Sequence, residues 1–266
     1  HVYQKAGDKA AAENTFDEAI EQLGRNQSQV TALANAFNMY GMTGRAAQTY
    51  EKAQDIMNNE VVFAIELADI YERSNQPEKA IDSYIAYLQV NDQNQQLVKN
   101  KLQELVLDDA FSELLKQKLL ERIQKQPDKL VFAELLIWQF VQRKNFNLAL
   151  IQSKALDKRN NENGFRLIAL GKTAMNEKAY DVAIEAFEYV ADKGSRSGMA
   201  MMGNQLLLQA RKLKVTNSLD YTKADIEKLN AAYDDFINRF GINRTTVNTV
   251  LEKANLQAFY LYNYDT

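Results

Sequence analysis

The sequence predicts an all-α chain, a right-handed α-α superhelix of about seven to eight helical hairpins, and three observations predict it. The 266 residues include only 10 Gly and 2 Pro, too few for the many turns of an all-β fold. Ala, Leu, Gln, Lys and Glu abound, and apolar residues reach 46%, so strong helix formers can bury a large core. The third observation decides the fold: a frame of small and aromatic residues recurs every 34 positions, the length of one helical hairpin in a stacked array. Each such hairpin exposes an apolar face until a neighbour covers it, so only stacking completes the core.

The first repeat, about residues 1–25, carries Tyr3, Gly7, Ala12, Phe16 and Ala19. The same columns hold Phe37, Gly41, Ala46, Tyr50 and Ala53 in the second (26–59), then Tyr71, Asn75, Ala80, Tyr84 and Tyr87 in the third (60–93). Small side chains such as Ala34, Ala68, Ala46 and Ala80 let two helices approach closely, while Phe16, Tyr50 and Tyr84 fill the space between successive hairpins. Thr43 is expected to cap a helix running to about Met57, and Pro77 suits the first turn of the next second helix. Residues 94–128 lack the aromatic and Ala columns, so that hairpin is expected to pack at a different angle and bend the array.

In the fifth repeat (129–162), Pro127 is expected in the first turn of the leading helix, and Asn145 precedes a second helix ending near Asp157. Phe140, Ala149 and Leu156 recur as Ala174, Ala183 and Val190 in the sixth (163–196), where Gly171 is the small residue and Phe187 the aromatic that replaces Ser153. The seventh (197–241) is stretched, because Tyr233 lies 46 residues beyond Phe187, and the insertion is expected as a loop around Val215 to Tyr221. Thr222 with Asp225 makes a capping pattern for a helix to about Phe240, which Gly241 stops. A partial repeat (242–266) is expected to hold a helix from Asn243 to about Tyr262, and both ends of the chain to fall within a repeat.

These columns resemble the tetratricopeptide repeat over nearly the whole chain, as a single array 1–266. The stretch Ala149 to Gly194, with Ala155-Leu156-Asp157-Lys158-Arg159, Asn163-Gly164 and Tyr180-Asp181-Val182-Ala183-Ile184, is further similar to long tetratricopeptide proteins of Bacteroidetes cell envelopes. That second resemblance implies an exported, periplasmic protein. No signal peptide stands in this segment, and the longest nearly apolar stretch, Leu130 to Val141, contains Glu134 and spans about 12 residues where a membrane helix needs about 20.

Composition removes several chemistries. There is no cysteine and His1 is the only histidine, which excludes disulfides, thiol catalysis, Cys/His zinc sites and triads that need an internal His base. Lys and Arg number 32 against 35 Asp and Glu, so no basic field invites nucleic acid. Carboxylate pairs such as Glu185 with Glu188, or Asp234 with Asp235, read as solvated helix face; the turn from Gly194 to Gly198 lacks the spacing of a phosphate-binding loop; Met199, Met201 and Met202 read as core. No catalytic residue, metal or cofactor is expected.

The family resemblance implies a concave groove lined by the first helix of each repeat, through its positions two, five, nine and twelve. Here these are Ser28, Thr31, Asn35 and Asn38; Val62, Ile65, Asp69 and Glu72; Val131, Glu134, Trp138 and Val141; Phe165, Ile168, Lys172 and Met175. Asn35 and Asn38 are expected to hydrogen-bond a peptide backbone, Trp138 to anchor it, and Asp69, Glu72 and Lys172 to contribute charge. No repeat pairs Lys at position five with Asn at nine, so the carboxylate clamp of chaperone-binding tetratricopeptide domains is absent. The expected function is a non-catalytic scaffold that holds a partner peptide or protein; the alternative is a spacer or oligomerisation module of a longer envelope protein. Self-association is expected through the last helix, which carries a stripe of Val247, Val250, Leu251, Ala254, Ala258 and Leu261 and a second side of Leu256, Phe259 and Tyr260.

Overall fold

The computed structural model describes residues 9–193, 198–218 and 221–261. Among these residues every regular element is helical, and the chain divides between Arg143 and Lys144 into two compact units. The first unit holds α1 (Lys9–Glu21), α2 (Gln27–Met39), α3 (Thr43–Met57), α4 (Ala64–Arg73), α5 (Pro77–Val90), α6 (Gln95–Leu102), α7 (Asp109–Lys125) and α8 (Leu130–Gln142). The second holds α9 (Phe146–Asn160), α10 (Phe165–Asn176), α11 (Tyr180–Asp192), α12 (Gly198–Thr216), α13 (Lys223–Phe240) and α14 (Val247–Leu256), closed by a π-helical turn at Gln257–Leu261. Helix pairs α2–α3, α4–α5 and α10–α11 form hairpins at the 34-residue period, a tetratricopeptide-like fold.

In the first unit the columns do what their sizes allow. Ala34, Ala46, Ala68 and Ala80 are fully buried where helices approach. The Phe16 ring meets Phe37 of the next repeat edge-on at 5.4 Å, and Tyr50 meets Phe63 of the next at 4.9 Å, so aromatics join successive hairpins. The Gly/Asn column has a backbone cause, since Gly41 (φ 74°) and Asn75 (φ 55°) both turn the chain through the left-handed region between the two helices of a hairpin. Lys144 and Lys178 occupy the equivalent turns with φ of 55° and 63°, at a cost of about 1 kcal/mol each.

Three local expectations need correction in this unit. Thr43 is the first residue of α3, behind Met42, and its side chain makes no cap; Pro127 lies in the turn before α8, which starts only at Leu130. Pro77 does occupy the first turn of α5. The fourth repeat differs from the hairpin expected for it: α6 ends after 8 residues, a 3₁₀ turn at Leu105–Leu107 replaces the rest of the first helix, and Asp108 caps α7 by accepting from the Phe111 N–H at 2.8 Å. The Arg143 side chain secures that turn, donating to the Leu107 carbonyl at 2.5 Å and to Asp109. α8 is buried on most of its circumference, and the amide of its one deeply buried polar residue, Gln139, donates to the Ser112 carbonyl and hydroxyl at 2.5 and 2.7 Å.

In the second unit Ala149, Ala183 and Phe187 are fully buried, and Gly171 leaves room for the Phe187 ring. Asp157, also fully buried, accepts from the Gly164 N–H at 2.6 Å, from the Tyr189 hydroxyl at 2.9 Å and from Lys193, tying α9 to the turn before α10 and to the end of α11. The insertion lengthens a helix before it makes a loop: α12 runs through Val215 to Thr216. Thr222 and Asp225 cap α13 reciprocally and Gly241 ends it. α14 begins at Val247 rather than Asn243, because the Thr246 hydroxyl donates to the Gly241 carbonyl at 2.7 Å and holds the chain in a turn. Met199, Met201 and Met202 are half-buried rather than core, with Met201 packed at the edge of a cluster built on Tyr233 and Phe236. Tyr3 and Gly7 of the first repeat, the turn residues Gly194 to Ser197 and the expected helix end at Tyr262 lie outside the described residues.

Candidate functional site

The leading-helix face of the first unit carries a connected set of polar side chains. On α4, a ten-residue helix, Asp69 and Glu72 are three apart and share one side. Lys101 of α6 reaches both Asp69 carboxylate oxygens at 2.8 Å, and Gln95 of α6 donates to Glu134 of α8 at 2.9 Å. Side chains thus bridge three successive leading helices, α4, α6 and α8. Beneath them Tyr84, fully buried in α5, sends its hydroxyl through the wall to donate to Glu72 at 2.5 Å. Burial first, and then the Glu72 carboxylate, push the Tyr84 hydroxyl far above its ordinary value, so it stays a donor at any physiological pH. Burial likewise raises the Glu72 carboxyl, against the pull of the Tyr84 hydroxyl.

The individual residues fall as follows. Asn35 is exposed on α2, while Asn38 is half-buried and its Oδ1 is enclosed with no hydrogen-bond partner. Asp69 and Glu72 are half-buried and already engaged within the chain, Asp69 by Lys101 and Glu72 by Tyr84. Trp138 is half-buried on α8 beside Val141. Lys172 is exposed on α10, in the second unit. Two positions assigned to the lining, Val131 and Ile168, are instead core, at 3% and 4% exposure. In compensation Phe165 of α10 stands 72% exposed.

Sequence reasoning missed Lys101 and Gln95, because they lie in the repeat whose frame is lost, and it assigned Tyr84 to packing alone. The one available signal was the separation of 32 residues between Asp69 and Lys101, close to the repeat period. At the far end of the second unit, α14 packs through Leu256, and Tyr260 meets Tyr221 edge-on at 6.0 Å. Val247 and Leu251 of the longer stripe and Phe259 of the second side are exposed, so each side is open in part.

Among the described residues no group of acidic, His or Cys side chains is arranged to hold a metal, and no helix is long and apolar enough to cross a membrane. No protein-family model and no curated protein matches the chain. Solved structures similar to it include a tetratricopeptide repeat protein from Parabacteroides merdae, 13% identical over 94% of each chain with a TM-score of 0.33. Another is Naa15/Naa10 bound to HypK-THB, 14% identical over 96% of this chain and 45% of that one, with a TM-score of 0.32.

Proposed function

We propose that the chain is a non-catalytic scaffold that binds a partner peptide or protein along the leading-helix face of its first unit. The observation that carries this reading is the polar network spanning α4, α6 and α8, with half-buried Trp138 on α8 itself and exposed Asn35 on α2, the leading helix before α4. Side chains fixed by their neighbours meet a ligand with little loss of rotamer entropy, and a part-exposed indole can bury its remaining area on contact. Capture of the partner from the source organism, compared among the wild type, Asn35→Ala and Trp138→Ala, tests it. Trp138→Ala is expected to weaken capture at least tenfold, about 1.4 kcal/mol, with the helical circular dichroism unchanged. Equal capture by all three proteins overturns the reading.

A second reading, a spacer or oligomerisation module, draws on the exposed apolar residues Val247, Leu251 and Phe259. It predicts concentration-dependent dimers in sedimentation that Leu251→Glu with Phe259→Ser abolishes. A monomer at all concentrations rejects it.

A further inference from the structure

The truncated helix of the fourth repeat leaves a hole. Where α6 stops and the 3₁₀ turn takes over, a cavity of about 380 Å³ opens between the end of α4, the start of α5 and the first turns of α7. Its walls are Pro77, Leu105, Phe111 and Leu114, and its polar lining residues include Glu72 and Asp108. Among the described residues no lysine or arginine lines it. Lys101 and Arg73 act on Glu72 only through space, for Lys101 is bonded to the Asp69 carboxylate and Arg73 donates to the Asp69 carbonyl, and Arg143 is bonded to Asp109. Glu72 takes a hydrogen bond from Tyr84 and Asp108 one from the Phe111 N–H, and neither of these donors is a cation.

Resting on the groove reading above, we propose that this cavity receives one long basic side chain, a lysine or arginine, of the bound partner segment. The apolar walls suit the methylene stem and the two carboxylates suit the charged head. A purely apolar side chain would strip water from Glu72 and offer it nothing in return, and an acidic one would be repelled. The preference is therefore set by charge on top of a fit that lysine and its uncharged analogue share.

The test uses the whole chain and two capped pentapeptides, alanines around a central lysine or a central norleucine. In NMR titration the lysine peptide is expected to shift the Leu105, Leu114 and Phe111 signals with an affinity about tenfold above that of the norleucine peptide, and to lose that advantage in high salt. Glu72→Gln, which keeps a carbonyl for the Tyr84 hydroxyl, is expected to remove the preference without unfolding the helix. Ala110→Trp, which fills the cavity from α7, is expected to abolish the shifts for both peptides. Equal affinity for the two peptides, no shifts at these residues, or lysine-induced shifts that survive Ala110→Trp each overturn the proposal. A partner captured through Trp138 but indifferent to Ala110→Trp also sinks it while leaving the groove reading intact; indifference to both substitutions removes both.

Discussion

Replacing Asp157 by alanine is expected to destabilise the second unit by about 3 kcal/mol, the cost of leaving buried hydrogen-bonding partners of a charged group without it. The carboxylate is fully buried and has three donors from two places in the fold: the Gly164 N–H at the turn into α10, and the Tyr189 hydroxyl and Lys193 ammonium at the end of α11. Removing it leaves the Gly164 N–H, at the left-handed N-cap of α10 (φ 86°), buried with no acceptor. Burial pushes the Asp157 carboxyl upward, but Lys193, the Gly164 N–H and Tyr189 together outweigh it and hold the group below its ordinary 3.8. A carboxyl depressed in the folded state contributes stability above its unfolded value and loses it as pH falls. The wild type is thus expected to lose stability as pH drops below about 3.8, and Asp157→Ala to show a shallower acid limb. Urea unfolding across pH, read by hydrogen exchange in α10 and α11, measures both. A cost under about 1 kcal/mol, the low end of the penalty for an unsatisfied buried group, or an unchanged acid limb, would show that the three donors find water instead.

How much of this was legible in the sequence follows from which contacts repeat. Phe16 and Tyr50 stand one repeat apart and each joins its hairpin to the next, but their partners Phe37 and Phe63 hold different positions in the repeat, so spacing showed the aromatic column and not its contacts. Gly41 and Asn75 were visible as a column because their side chains tolerate a left-handed backbone. Lys144 and Lys178 take up the same backbone at a cost that no spacing rule announces, so those turns were placed without their cause. The Asp157 network occurs once. Its partners lie 7, 32 and 36 residues away, and an aspartate near the end of a helix reads as surface. The candidate face suffered most, for the position rule treated Asp69 and Glu72 as groove charges when their nearest partners, Lys101 and Tyr84, come from a repeat with no frame and from a column assigned to packing. The same loss of frame that hid Lys101 shortens α6 and opens the cavity beside Glu72.

Gly171 and Phe187 are expected to behave as one unit in a double-mutant cycle. A Cβ added at Gly171 would stand 2.5 Å from Cε1 of the fully buried Phe187 ring, closer than carbon atoms tolerate. Gly171→Ala alone is therefore expected to cost about 1–3 kcal/mol, the usual penalty of overpacking, even though alanine is the better helix former. Phe187→Ala alone is expected to cost about 3–5 kcal/mol, because the fully buried ring fills the space between α10 and α11 and its removal leaves a cavity there. With the ring gone the methyl that Gly171→Ala adds has room, and the intrinsic preference of helix for alanine over glycine, about 1 kcal/mol, is no longer masked. In the Phe187→Ala background, Gly171→Ala is thus expected to stabilise, reversing the sign it shows in the wild type. The cycle closes with a coupling well above the ~0.5 kcal/mol scatter of independent sites. Urea unfolding followed by circular dichroism gives the four free energies, with hydrogen exchange in α10 and α11 confining the readout to this unit. The same cost for Gly171→Ala in both backgrounds would mean that its penalty comes from the backbone and not from the ring.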